Sequence, residues 1–235
     1  MVEAVTHTGK LQRILKFWSE DKCLSVMFLL LVLFIFVLVP SLTPSGGGEI
    51  SIKITYSIIL LTGIFSVAKS KMFVTIVGIA AAISLFVNWL TEVEPTRPVF
   101  ITHDVVAIFF NLLFAFAILM KTFKEGEITF QRIQGSIVVY LVIGLTFSYA
   151  FHAIYLLSGD GSFNNLKGDG LKEFLYFSLT SLTTMGYGDI TPVHPIARSF
   201  ANLEALIGQL YPAILIARLV SMEFESSTRK KETNR

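Results

Sequence analysis

The chain has 235 residues, 53% of them hydrophobic and 15% charged, with a mean hydropathy of +0.68. A soluble domain carries about 25% charged residues, so a water-soluble enzyme or binding module is excluded. A net charge of +2 is too small to mark a nucleic-acid partner, and the single cysteine, Cys23, leaves no disulfide framework or cysteine-rich metal site.

Residues 1–22 form a basic lead-in with Leu11, Ile14, Leu15 and Trp18 at helical spacing, suited to lying along a membrane surface. Apolar stretches then cover residues 23–39, 54–68, 73–90, 105–120 and 134–157. A sixth, 196–219, is interrupted by Arg198, Glu204 and Arg218. A spanning helix needs about 20 residues, and Lys53, Lys69 and Lys121 can extend the shorter stretches by snorkelling. Six spans result. The first has too long an apolar core for a signal peptide, and residues 40–43 offer no Ala-x-Ala cleavage site, so a retained helix is expected.

Residues 45–48 are a glycine-rich outer loop, and acidic residues 91–102 read as the next one. The charged linker 121–131 separates a four-helix domain, 23–131, from a second domain, 132–222, which is followed by a short tail, 223–235. With a cytoplasmic N-terminus, 14 of the 19 lysines and arginines fall inside, leaving Lys53, Arg97, Lys167, Lys172 and Arg198 outside. Both termini are therefore expected in the cytoplasm, with the chain in the plasma or inner membrane.

After the fifth stretch, residues 158–168 are rich in Gly, Asp, Asn and Ser and read as an exposed outer loop. Residues 171–183 look helical but are too few to cross. Asp169 can cap them, and Glu173 falls in the first turn, where negative charge is favoured. A helix that enters and stops is tolerated only where its end is buried in protein or faces water. Its C-terminal dipole, worth about half a negative charge, then favours a dehydrating cation.

The next residues read Thr183-Thr184-Met185-Gly186-Tyr187-Gly188-Asp189. A Thr-x-Gly-Tyr-Gly run suits coordination of K+ by backbone carbonyls. Gly186 and Gly188 permit backbone conformations that other residues resist, and Thr184 adds a hydroxyl. The run occurs once and the arrangement needs four around one axis, which implies a homotetramer in the lipid bilayer.

In these residues the chain resembles the potassium channel superfamily, most closely small prokaryotic channels with six membrane helices and one pore loop. The resemblance is specific over residues 133–222 and thin before them. It implies an all-α membrane protein of six transmembrane helices, with a re-entrant pore helix and selectivity-filter loop between helices five and six. It also implies passive K+ conduction with neither catalysis nor a cofactor, and no Gly-x-Ser-x-Gly or His-Glu-x-x-His motif interrupts that reading. The ion sites implied are the carbonyls of Thr184, Met185, Gly186 and Tyr187, with Gly188 completing the row.

Met185 stands where the family usually has Val or Ile. Tyr176 and Phe177 replace a Trp pair that buttresses the filter, so only Tyr176 keeps a polar handle for Tyr187. Asp189 is implied to hydrogen-bond behind the filter and draw cations inward, while Thr180 replaces a glutamate that pairs with it in some relatives. Thr183 leads into the row. A weakly selective monovalent cation channel is the alternative reading, and Tyr187 argues against it.

Gly208, nineteen residues after Asp189, falls at the family's hinge position and serves bending or close packing. Pro212 should kink the helix. By helical phase, Gln209, Pro212, Ile216 and Val220 line an inner cavity. Glu204 costs about 2.5–3.5 kcal/mol in a membrane unless partnered. It either braces the pore helix through Thr180, Ser181 or Thr184, or binds ions or protons. His152 and His194 read as structural histidines or pH sensors. The fourth helix, 104–121, has no arginine, so classical voltage sensing is not expected.

Overall fold

The computed structural model describes residues 22–41, 54–59, 62, 71–123, 129–168 and 170–233. These residues are overwhelmingly helical, because a bilayer offers no water to backbone amides and a helix satisfies them internally. Helix α1 (Lys22–Leu33) passes through a π-helical turn (Phe34–Leu38) into Val39–Ser41. The widening lies just before Pro40, whose ring cannot continue the regular bonding, and the Val39 amide instead reaches back to the Phe34 carbonyl. Residues 54–59 are helical, but most of the second apolar stretch and the basic lead-in lie outside the described residues.

Helices α2 (Lys71–Val93), α3 (Arg97–Thr122) and α4 (Phe130–Ser158) follow, then a short α5 (Leu171–Leu182) and a long α6 (Pro195–Thr233). Five helices are long and apolar enough to cross a membrane among the described residues. The chain is thus a multi-pass, all-helical membrane protein.

The expected outer loop over 91–102 shrinks to residues 94–96. Proline is tolerated in a first helical turn, and Pro98 sits there, so α3 begins at Arg97 and not at 104. The helix is 26 residues long and carries Asp104 inside it, fully buried.

The α3–α4 connection is short, and these two helices form the most extensive pairing in the fold. With α1 they enclose an apolar core of Leu24, Met27, Phe110, Phe114, Val138 and Val142, among others. Buried hydroxyls along the helices bond to carbonyls one turn back, as Ser148 does to Leu145 and Thr146 to Val142.

A second, aromatic cluster joins the end of α4 to α5 and the start of α6. Phe151 and Phe177 meet at 4.8 Å, and Phe163 stands edge-on to Phe174 at 5.4 Å and Phe177 at 5.5 Å. Phe163 comes from the segment expected to be an exposed loop. In fact Ser162 and Phe163 are buried, because the segment folds inward as a turn (Asp160–Ser162) and a strand β1 (Phe163–Asn164). Strand β1 pairs antiparallel with β2 (Thr191–Pro192), just beyond Asp189.

Candidate functional site

Helix α5 begins at Gly170, whose extended backbone makes no side-chain cap, and Asp169 lies outside the described residues. Glu173 occupies its first turn. One apolar side of α5 is buried through Phe174, Leu175, Phe177 and Leu182, which holds the helix in place although it is only 12 residues long.

At its C-terminus the chain folds back on the last carbonyls. The Thr184 amide donates to Ser181 at 2.9 Å, and the Met185 and Gly186 amides both donate to Thr180, at 2.9 and 3.2 Å. Thr183 Oγ1 donates to the Leu179 carbonyl at 2.6 Å and Thr180 Oγ1 to Phe177 at 2.9 Å. Beyond this knot, φ is +57° at Thr184, +55° at Gly186 and +74° at Gly188, whereas the intervening Met185 and Tyr187 are not in that region.

Such alternation has a direct consequence. In an extended strand successive carbonyls point to opposite sides, whereas alternating left- and right-handed residues turn successive peptide planes the same way. A row of carbonyls on one side is the chemistry a dehydrated K+ needs. Thr184 is β-branched, and holding it at positive φ costs about 1–3 kcal/mol, a strain that persists only where neighbouring bonds over-determine it. The knot at Thr180 and Ser181 supplies those bonds.

Met185 is 56% exposed and Tyr187 66% exposed within the protomer. The Tyr176 hydroxyl donates to Asp189 Oδ2 at 2.8 Å. That bond holds the Asp189 carboxyl below its ordinary range. Phe177 is withdrawn into the aromatic cluster, against Phe151 and Phe163. The segment after Asp189 is tied down separately, since the Val193 and His194 amides donate to the Ser162 carbonyl at 2.9 and 3.1 Å.

On α6, Glu204 is 0% exposed, and its hydrogen-bond partner is Ser178, not Thr180, Ser181 or Thr184. Gly208 is buried against the end of α5: a Cβ there would stand 1.8 Å from the Leu182 carbonyl oxygen. Helix α6 runs without a break in its assignment through Pro212, which leaves the Gly208 carbonyl without its helical donor. Gln209, Ile216 and Val220 are exposed and Pro212 half-buried.

One cluster escaped the sequence reading. Asp104 Oδ2 lies 2.8 Å from His152 Nδ1, and its Oδ1 lies 3.3 Å from His103 Nδ1. His152 also stands 5.3 Å from Phe174, so the cluster links α3 and α4 to α5. The signal was available: once α3 starts at Arg97, an acid falls about two turns inside a span and requires a partner.

Residues 136–225, covering most of α4 and continuing through α5 into α6, match the ion channel family model. Over this part the chain is similar to proteins named as potassium channels. Two pore potassium channel c of Oryza sativa subsp. japonica is 36% identical over 87 residues, which are 36% of this chain and 17% of that protein. The inward rectifier potassium channel Kirbac3.1 of Paramagnetospirillum magnetotacticum is 33% identical over 90 residues, 38% of this chain and 28% of the relative. Protein LctB of Geobacillus stearothermophilus is 44% identical over 59 residues, 25% and 41% of the two chains. The chain thus spans less than half the length of each of these relatives. No solved structure matches it.

Proposed function

We propose that the protein is a potassium-selective ion channel and not an enzyme, conducting passively through a pore formed by four copies of the chain. The observation that carries this reading is the alternating handedness of Thr184–Gly188 at the end of a helix too short to cross. In this reading α5 is the pore helix, and the carbonyls of Thr184, Met185, Gly186 and Tyr187 hold K+. Asp189, tied back by Tyr176, supports the outer mouth. Relatives named as potassium channels support the same assignment. Both termini are cytoplasmic, in keeping with the lysine and arginine distribution.

The reversal potential of the purified protein in a planar bilayer, with potassium on one side and sodium on the other, tests the reading. A reversal far toward the potassium equilibrium is expected. The withdrawal of Phe177 from the filter favours one rival, a weakly selective monovalent cation channel, and a reversal near zero would establish it.

Gating is not of the classical voltage-sensing kind. Between Arg97 and Lys121 helix α3 has no basic residue except His103, and a sensor draws about 2.3 kcal/mol per charge per 100 mV. A shallow conductance–voltage relation is expected. A steep one abolished by neutralising Lys121 and Lys124 would refute the proposal.

A further inference from the structure

Glu204, Ser178 and Gly144 meet at one level of the fold, where α6, α5 and α4 converge. Ser178 is fully buried, and its Oγ lies 2.6 Å from the Gly144 carbonyl oxygen and within hydrogen-bonding distance of Glu204 Oε1. A serine hydroxyl carries one hydrogen. The Gly144 carbonyl has only lone pairs to offer, and an ionised carboxylate also has only lone pairs. Two acceptors would then face a single hydrogen, and the set would be one proton short.

No other group makes up the deficit. Among the described residues no Lys, Arg or His lies within ion-pairing distance of Glu204, and its Oε2 has no hydrogen-bond partner. Tyr140, on α4, has its hydroxyl committed to the Leu182 carbonyl at 3.1 Å. Tyr211, on α6 itself, tilts against Tyr140 at 5.8 Å and donates to the Ser136 carbonyl at 2.8 Å. From α5 the facing polar group is Ser178, which is not charged. Burial of Glu204 is complete within one protomer, so the enclosure does not await a neighbouring subunit.

We propose that Glu204 is held as a neutral carboxylic acid whose hydroxyl donates to Ser178, which in turn donates to the Gly144 carbonyl. Every hydrogen in the chain then has an acceptor, and the one unpartnered atom, Oε2, is a carbonyl-type oxygen and not half of an unpaired anion. The result is an uncharged clasp fastening α6 through α5 to α4, directly beside the contact between Gly208 and Leu182. Glu204 acts as a positioning residue for α5. Loss of its proton to the bath would leave a buried charge with no cation and two acceptors on one hydrogen, so the clasp opens at alkaline pH. The inference stands on the packing of the protomer and is independent of what the pore conducts.

Infrared absorption of the purified protein at neutral pH tests it. A protonated-carboxyl stretch is expected in the wild type and is lost in Glu204→Gln, while Ser178→Ala shifts its frequency by removing the acceptor. Thermal unfolding followed against pH should show the wild type losing stability toward alkaline pH and Glu204→Gln losing none. A wild type without the band, or a variant that keeps the band in full, overturns the proposal. A Glu204→Gln chain that fails to fold does so as well, because the amide can donate from the same place.

Discussion

At the scale of single residues, Gly208 and Asp189 carry the sharpest consequences. A Cβ on Gly208 would overlap the Leu182 carbonyl, and Leu182 cannot retreat because Tyr140 holds its oxygen from the other side. Gly208→Ala should therefore destabilise the folded protein by about 1–3 kcal/mol or more, read as a lowered Tm. A hinge role alone would leave Tm unchanged and alter only opening. At Asp189 the sign of the pH effect follows from its lowered titration. The ionised form accepts the bond from Tyr176, so the bond persists at neutral pH and is lost as external pH falls through the depressed value. In Tyr176→Phe the titration returns toward the ordinary carboxylate range. External acid should then reduce current at a higher pH than in the wild type, measured as current against outer pH.

Between elements, the Asp104 cluster is a polar contact of α3 with α4 within a largely apolar pairing. A buried carboxylate at 2.8 Å from one imidazole and 3.3 Å from another is tolerable only while it keeps those partners. Removing His152 alone by His152→Leu leaves the acid stranded and should cost about 3–5 kcal/mol of stability. Adding Asp104→Asn in the same chain should restore most of that loss, since the stranded charge is gone. Thermal unfolding of the wild type, both single variants and the double variant measures this coupling directly. The two-residue pairing of β1 with β2 fixes the residues after Asp189 to the segment before α5, so the short helix is anchored at both its flanks.

For the molecule as a whole, burial is unevenly shared. In α4 an apolar 18-residue window is 67% buried, but the corresponding window of α6 is only 11% buried. Helix α4 is enclosed by the rest of its own chain, whereas α6 leaves most of its surface uncovered, as the proposed tetramer requires. Val138, Val142 and Leu145 of α4 belong to the core shared with α1 and α3. A truncated chain of residues 133–235 would expose that face. It should give a less stable tetramer than the full chain, with a lower dissociation temperature on native gels. Equal stability would mean that the segment before residue 133 serves regulation alone.

The sequence by itself determined the helical membrane class, the bounds of α5 to within one residue and the glycine-punctuated run, Thr184–Gly188, where the backbone changes handedness. These follow from local chemistry: apolar length, glycine placement and the need to satisfy backbone groups in lipid. Only the tertiary structure decided who meets whom. The partner of Glu204 is Ser178, Tyr176 bonds to Asp189, Phe177 packs into the aromatic cluster, and Asp104 lies inside α3 against His152. Each is a contact between segments 13 or more residues apart, set by helix rotation and depth, and periodicity along one chain does not encode the phase of a neighbouring helix.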